Sequence, residues 1–152
     1  MDFEEFTNKF LTWTIEKIEA KKIDGFPVCP YAKFARLNDK IQFLDGRDNV
    51  RLSLEKFDDQ KYEIGVCWLG DDIDTDTVMP VLNELSEKNP ELLYFVSTPT
   101  SGFFAQNFTK CVFIQLKGDI LEKRAALHKT SYYASWPAEY YQEITGQTLT
   151  SL

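Results

Sequence analysis

The sequence predicts an α+β fold: a single antiparallel or mixed five-stranded sheet with helices packed mainly on one face. Three observations carry this. Apolar residues recur at helical spacing in the amino-terminal stretch; five short apolar runs of strand length follow, parted by turn residues or a helical segment; and no repeat, linker or low-complexity tract divides the 152 residues. A chain of this length buries about two thirds of its unfolded surface, enough for one core. Aromatic residues make up 14%, with 12 Phe, 7 Tyr and 3 Trp, so that core is expected to be rich in rings. The domain is expected to span residues 1–146. Residues 147–152, QTLTSL, lack the apolar content to hold themselves in place and read as a flexible tail.

Phe3, Phe6, Phe10 and Trp13, joined by Leu11, Ile15 and Ile18, form one apolar stripe and predict a helix from Asp2 to Lys22. Glu4 and Glu5 near its start and Lys21 and Lys22 near its end complement the macrodipole. In FPVCPYAKFARL a second helix is expected to begin at Pro30. The runs KIQFLD, NVRLSLEKF and YEIGVCWLG read as strands. DGRD (45–48) and FDDQK (57–61) are short enough to join them as hairpins in an antiparallel meander. Val50, Leu52 and Leu54 alternate with polar neighbours, whereas the third run is apolar on both faces and reads as central. A helix is expected from the acidic run GDDIDTDT to Asn89, followed by the strands LLYFVST and KCVFIQLKG. The helix DILEKRAALHK and a short last helix near Ser135 complete the chain.

A net charge of −7 excludes the broad basic footprint that nucleic acid requires, leaving only the doublets Lys21/Lys22 and Lys33/Arg36. The amino terminus carries acids where a secretory signal carries bases, and no apolar run approaches the length of a membrane span. A cytoplasmic protein with no nucleic-acid or membrane partner is expected. Cys29, Cys67 and Cys111 have no paired spacing and read as reduced thiols.

Cys29 is the first candidate site. With a helix starting at Pro30 it occupies the N-cap, where the dipole and the nearby Lys33 and Arg36 lower a thiol pKa. The plainer reading is a small apolar residue buried at a bend. CPY is similar to the opening of the glutaredoxin motif, but Ala32 replaces its second cysteine and no strand precedes it, which excludes that fold. The helix FTNKFLTWTIEKIEA, the segment FPVCPYAKFAR and the strand KIQFLD together resemble the uncharacterised bacterial CPFA-motif family, over residues 7 to 45. That resemblance implies a domain boundary and no assigned activity. The histidine-proline pairs of the family are absent, with CWLGDD and SYYASWP in their places.

The alternating Asp72, Asp74 and Asp76 lack the glycine and the bidentate glutamate of a calcium loop. Asp74, Asp76 or Thr77 is expected instead to cap the following helix; with Thr77 as cap, Pro80 falls in the first turn. A lone His128 excludes paired-histidine zinc sites and is expected in the last turn of its helix. No GxSxG elbow or P-loop is present. No metal site or cofactor is expected.

The densest aromatic stretch is HKTSYYASWPAEYYQEITG. Tyr133, Trp136 and Tyr140, with the loop residues Phe103 and Phe104, are the candidate surface for a protein partner or a small planar ligand. The same rings also suit a lid over the sheet. The expected function is therefore a binding module, the alternative being a thiol-dependent enzyme or redox sensor built on Cys29.

Overall fold

The computed structural model describes residues 1–19, 22–23, 26–27, 31–99 and 109–129, with the backbone alone at 22–23 and 26–27. Helix α1 (Phe3–Trp13) begins where Asp2 Oδ1 accepts the Glu5 amide at 2.8 Å and buries Phe6, Phe10 and Trp13. It runs directly into a π-helix, Thr14–Glu19. The wider turn rotates the inward face: Thr14 is buried and donates to the Phe10 carbonyl at 2.9 Å, and Ile18 enters the core. Ile15, expected on the buried stripe, is turned outward and is exposed. Described helix ends at Glu19, short of the expected Lys22, which lies in a two-residue antiparallel ribbon of β1 (Lys22–Ile23) and β2 (Phe26–Pro27).

After α2 (Ala32–Leu37), the main sheet comprises β3 (Ile41–Asp45), β4 (Ile64–Gly70), β5 (Leu92–Ser97) and β6 (Lys110–Leu116) in the order β3-β4-β6-β5. The fold is α+β, as expected, but the sheet is mixed and has four strands among the described residues. NVRLSLEKF is not a strand. It forms α3 (Val50–Glu55), capped by Asn49, whose side chain accepts the Leu52 amide at 3.0 Å. Val50, Leu54 and Phe57 stand four and three residues apart, so the segment that alternates as a strand also has a helical face; Ser53 and Leu54 are buried and Leu52 is exposed. With a helix between them, β3 and β4 pair in parallel and the expected meander is absent.

β6 pairs antiparallel with both β4 and β5, so β3, β4 and β5 all run the same way. α3 joins β3 to β4 and α4 (Thr75–Lys88) joins β4 to β5 across β6. The expected arrangement of helices mainly on one face is overturned. One core layer joins Phe6, Phe10, Trp13 and Ile18 to Ala32, Ala35, Val66, Trp68 and Cys111. A second joins Leu54, Val78, Leu82 and Leu85 to Cys67, Leu69, Val112 and Ile114. Consecutive residues of β4 and β6 divide between the two layers because side chains alternate across a sheet. Both faces of the central strands are apolar, so helices cover both.

Asp74, not Thr77, caps α4, accepting the Asp76 amide at 2.9 Å. A carboxylate in this position stabilises a helix by about 1 kcal/mol. Pro80 consequently lies beyond the first turn, inside the helix. α5 (Lys117–His128) follows β6, ends on His128 as expected and has no fully buried residue. Among the described residues no helix is long and apolar enough to cross a membrane.

Candidate functional site

Three parallel strands bring Asp45, Gly70 and Ser97 to one edge of the sheet, beside the start of β6 at Lys110. The outer side of carboxyl-terminal strand ends is where open sheets with parallel strands commonly take ligands. Trp68 organises this edge. Its Nε1 donates to Thr109 Oγ1 at 2.9 Å, both groups being buried. The Arg47 guanidinium stands 4.0 Å from the ring centroid, close enough for a cation–π interaction. Arg47 also grips Asp45 through two bonds, Nε to Oδ1 at 2.9 Å and Nη2 to Oδ2 at 2.7 Å. This side-chain pairing holds the Asp45 carboxyl below its ordinary pKa and raises that of Arg47. Lys110 Nζ donates to the Ile73 carbonyl at 2.7 Å, fastening the segment after β4 to β6.

Two glycines make this packing feasible. Gly70 has φ +82°, which favours a residue without Cβ, and the Gly46 amide donates to the Trp68 carbonyl at 2.8 Å. A Cβ at Gly46 would stand 2.5 Å from Cys67 Sγ.

Beneath α1 the rings form a continuous layer. Phe6 stacks on Trp68 with centroids 5.2 Å apart and planes 5° from parallel; Phe10 meets Phe43 and Phe113 edge-on or tilted. Phe113 passes the layer to Phe95 at 6.1 Å, and Phe95 is 42% exposed. The aromatic layer therefore reaches the surface on β5. Pro99 and Thr109, which flank residues 100–108 with Phe103 and Phe104, follow β5 and precede β6 at the edge organised by Trp68. Phe103, Phe104, Tyr133, Trp136 and Tyr140 themselves lie outside the described residues.

Cys29 also lies outside them, but α2 does not. It starts at Ala32 with Tyr31 at the N-cap, two residues beyond the expected Pro30. Arg36, expected to aid a thiolate, is instead bound by Glu19 of the π-helix, Nε to Oε2 at 2.6 Å and Nη2 to Oε1 at 2.8 Å. That hydrogen-bonded pair raises the Arg36 pKa, with the charge of Glu19 adding to the shift and desolvation opposing it. At the start of α2, Lys123 Nζ stands 5.2 Å from the Tyr31 ring centroid and 3.6 Å from Glu63 Oε2, which is buried without a hydrogen bond. Asp119 completes this group at 4.0 Å from Lys123.

Cys67 and Cys111 are fully buried and project into opposite core layers, so they do not bridge one another. Burial, with smaller contributions from Cys111 and Asp45, pushes the Cys67 thiol up to about 12. Among the described residues no three His, Cys, Asp or Glu side chains gather in a metal-binding group.

Sequence reasoning missed the Arg47–Trp68–Thr109 arrangement and the ion pairs of Arg36 and Lys123. For the first, DGRD carried the one available signal, an Asp and an Arg two residues apart at a strand end. Glu19–Arg36 and Glu63–Lys123 join residues too distant in sequence to leave one, whereas Asp119 and Lys123, four apart on α5, have the local spacing of a helical ion pair. No protein-family model, curated protein or solved structure matches the chain.

Proposed function

We propose that this domain is a binding module for a protein partner or a small planar ligand, with Phe103, Phe104, Tyr133, Trp136 and Tyr140 supplying the contact rings. The observation that supports it is the aromatic layer that surfaces at Phe95, on the strand that precedes Phe103 and Phe104 in the sequence. Aromatic rings with a polar tip suit such surfaces because they bury large area at low entropic cost. The polar groups at the same edge are committed to structure: Thr109 to Trp68, Arg47 to Asp45, Lys110 to Ile73. Titrating the chain with Nile red, a neutral planar dye, is expected to give saturable fluorescence that is lost in Trp136→Ala/Tyr140→Ala while the circular dichroism is unchanged. Unaltered dye binding in that variant would refute the reading, and global unfolding would identify these rings as a core lid.

One observation favours a second reading, a thiol-dependent activity at Cys29. Lys123 sits over Tyr31, two residues along the chain, and a nearby cation favours thiolate. Under it, one thiol reacts rapidly with a disulfide reporter near neutral pH and disappears in Cys29→Ala. Three uniformly slow thiols would remove the thiol reading.

A further inference from the structure

The two edges of the main sheet differ. β3 ends on the charged Asp45, and Gln42 ties the 56–58 segment against it, donating to the Lys56 carbonyl at 3.3 Å and accepting the Asp58 amide at 2.8 Å. From Leu92 to Val96, β5 has no such cover among the described residues. Among the described residues no strand pairs with its outer edge, and its register with β6 is unbroken from Leu92 to Ser97, with no bulge to twist that edge away. Edge strands are ordinarily guarded by charge, proline or a bulge, because exposed amides and carbonyls recruit another strand. Leu92 to Val96 carry none of the three.

Charge identifies the occupant. The chain has a net charge of −7, yet no Asp, Glu, Lys, Arg or His occurs anywhere from Leu92 to Thr109. Two copies of an acidic protein repel one another over most of their surface, and least where an uncharged strand meets an identical one. Antiparallel pairing of a strand with its own copy is self-complementary under a two-fold axis. With that axis perpendicular to the sheet, the exposed Phe95 side chains of both copies lie on the same face and cover one another.

We infer that β5 is an assembly strand: two copies of this chain pair antiparallel through the outer edges of Leu92–Val96 and join their sheets into one. This concerns the backbone edge of β5; because Phe95 is also where the aromatic layer surfaces, assembly and ligand capture are read separately, by mass here and by dye fluorescence there. Sedimentation equilibrium of the full chain across a dilution series is expected to give twice the 17.7 kDa monomer mass at the concentrated end. Phe95→Lys, which places a charge beside the edge, is expected to return it to monomer mass, and Leu52→Lys, at a more exposed position on α3, to leave the dimer intact. Hydrogen exchange on the unmodified chain gives a second readout: amides of 92–96 gain protection with concentration and those of 41–45 do not. Monomer mass throughout the series, a folded Phe95→Lys variant that stays dimeric, or protection at 92–96 that ignores concentration each overturns the inference.

Discussion

Phe6→Ala is expected to lower the unfolding free energy by about 3–5 kcal/mol, the range for deleting a large ring from a close-packed core. Phe6 is fully buried and stands at the meeting point of α1 and the sheet: its ring stacks on Trp68, lies near Phe3 and Phe10, and meets Phe43 at a steep angle. Those neighbours belong to β3, to β4 and to adjoining turns of α1, all paired or packed in place, so the void cannot collapse fully. Urea unfolding should show the midpoint falling with its slope unchanged, and the near-ultraviolet signal of Trp68 should alter with the loss of its stacking partner. Phe34→Ala is the control. That ring is 54% exposed on α2, and its removal should stay within about 0.5 kcal/mol. A Phe6 variant within 1 kcal/mol of the parent would mean that α1 packs elsewhere.

A second large effect should appear in alkali. The Cys67 thiol has a folded pKa of about 12 against an ordinary 9.0, chiefly because burial penalises the thiolate. Below pH 9 the folded and unfolded chains both hold this proton, and the group adds no pH dependence. Between 9 and 12 the unfolded chain has released it while the folded chain keeps it. The unfolded state then binds fewer protons, and stability falls by about 1.4 kcal/mol per pH unit until the folded thiol also ionises. Denaturant unfolding of the parent and of Cys67→Ala at several pH values separates this slope from that of the lysines and tyrosines, which both proteins share. Equal slopes in the two would show that Cys67 ionises as readily folded as unfolded.

What sequence pattern could and could not reveal follows from the range of each signal. α1 was legible because Phe6, Phe10 and Trp13 keep the spacing of a helix; the π-turn after it was not, because nothing local distinguishes Ile15 from Ile18 as the residue to bury. β4 was legible as a central strand from Val66, Cys67, Trp68 and Leu69 in succession. The same run implied covering on both faces, yet the helices were expected mainly on one. α3 was misread because Val50, Leu52 and Leu54 satisfy a two-residue period over a length at which a helical face also fits. Asn49 was the overlooked cue, a capping residue at its start. That error propagated, since a helix in place of a strand turns an antiparallel hairpin into a parallel crossover. The ion pairs Glu19–Arg36 and Glu63–Lys123 lay beyond any local pattern, being products of the tertiary arrangement itself.

The strand order has a consequence for how the chain is made. β3 and β4 are neighbours and can join as soon as both have been synthesised, but β5 is separated from β4 by the position that β6 fills. A nascent chain emerging through residue 97 therefore holds a strand with no place in the sheet, its apolar side chains waiting on residues 110–116. Long-range pairing of this kind slows folding and leaves sticky edges open meanwhile. The sheet closes by insertion from its middle, so it completes itself only when residues 110–116 have left the ribosome.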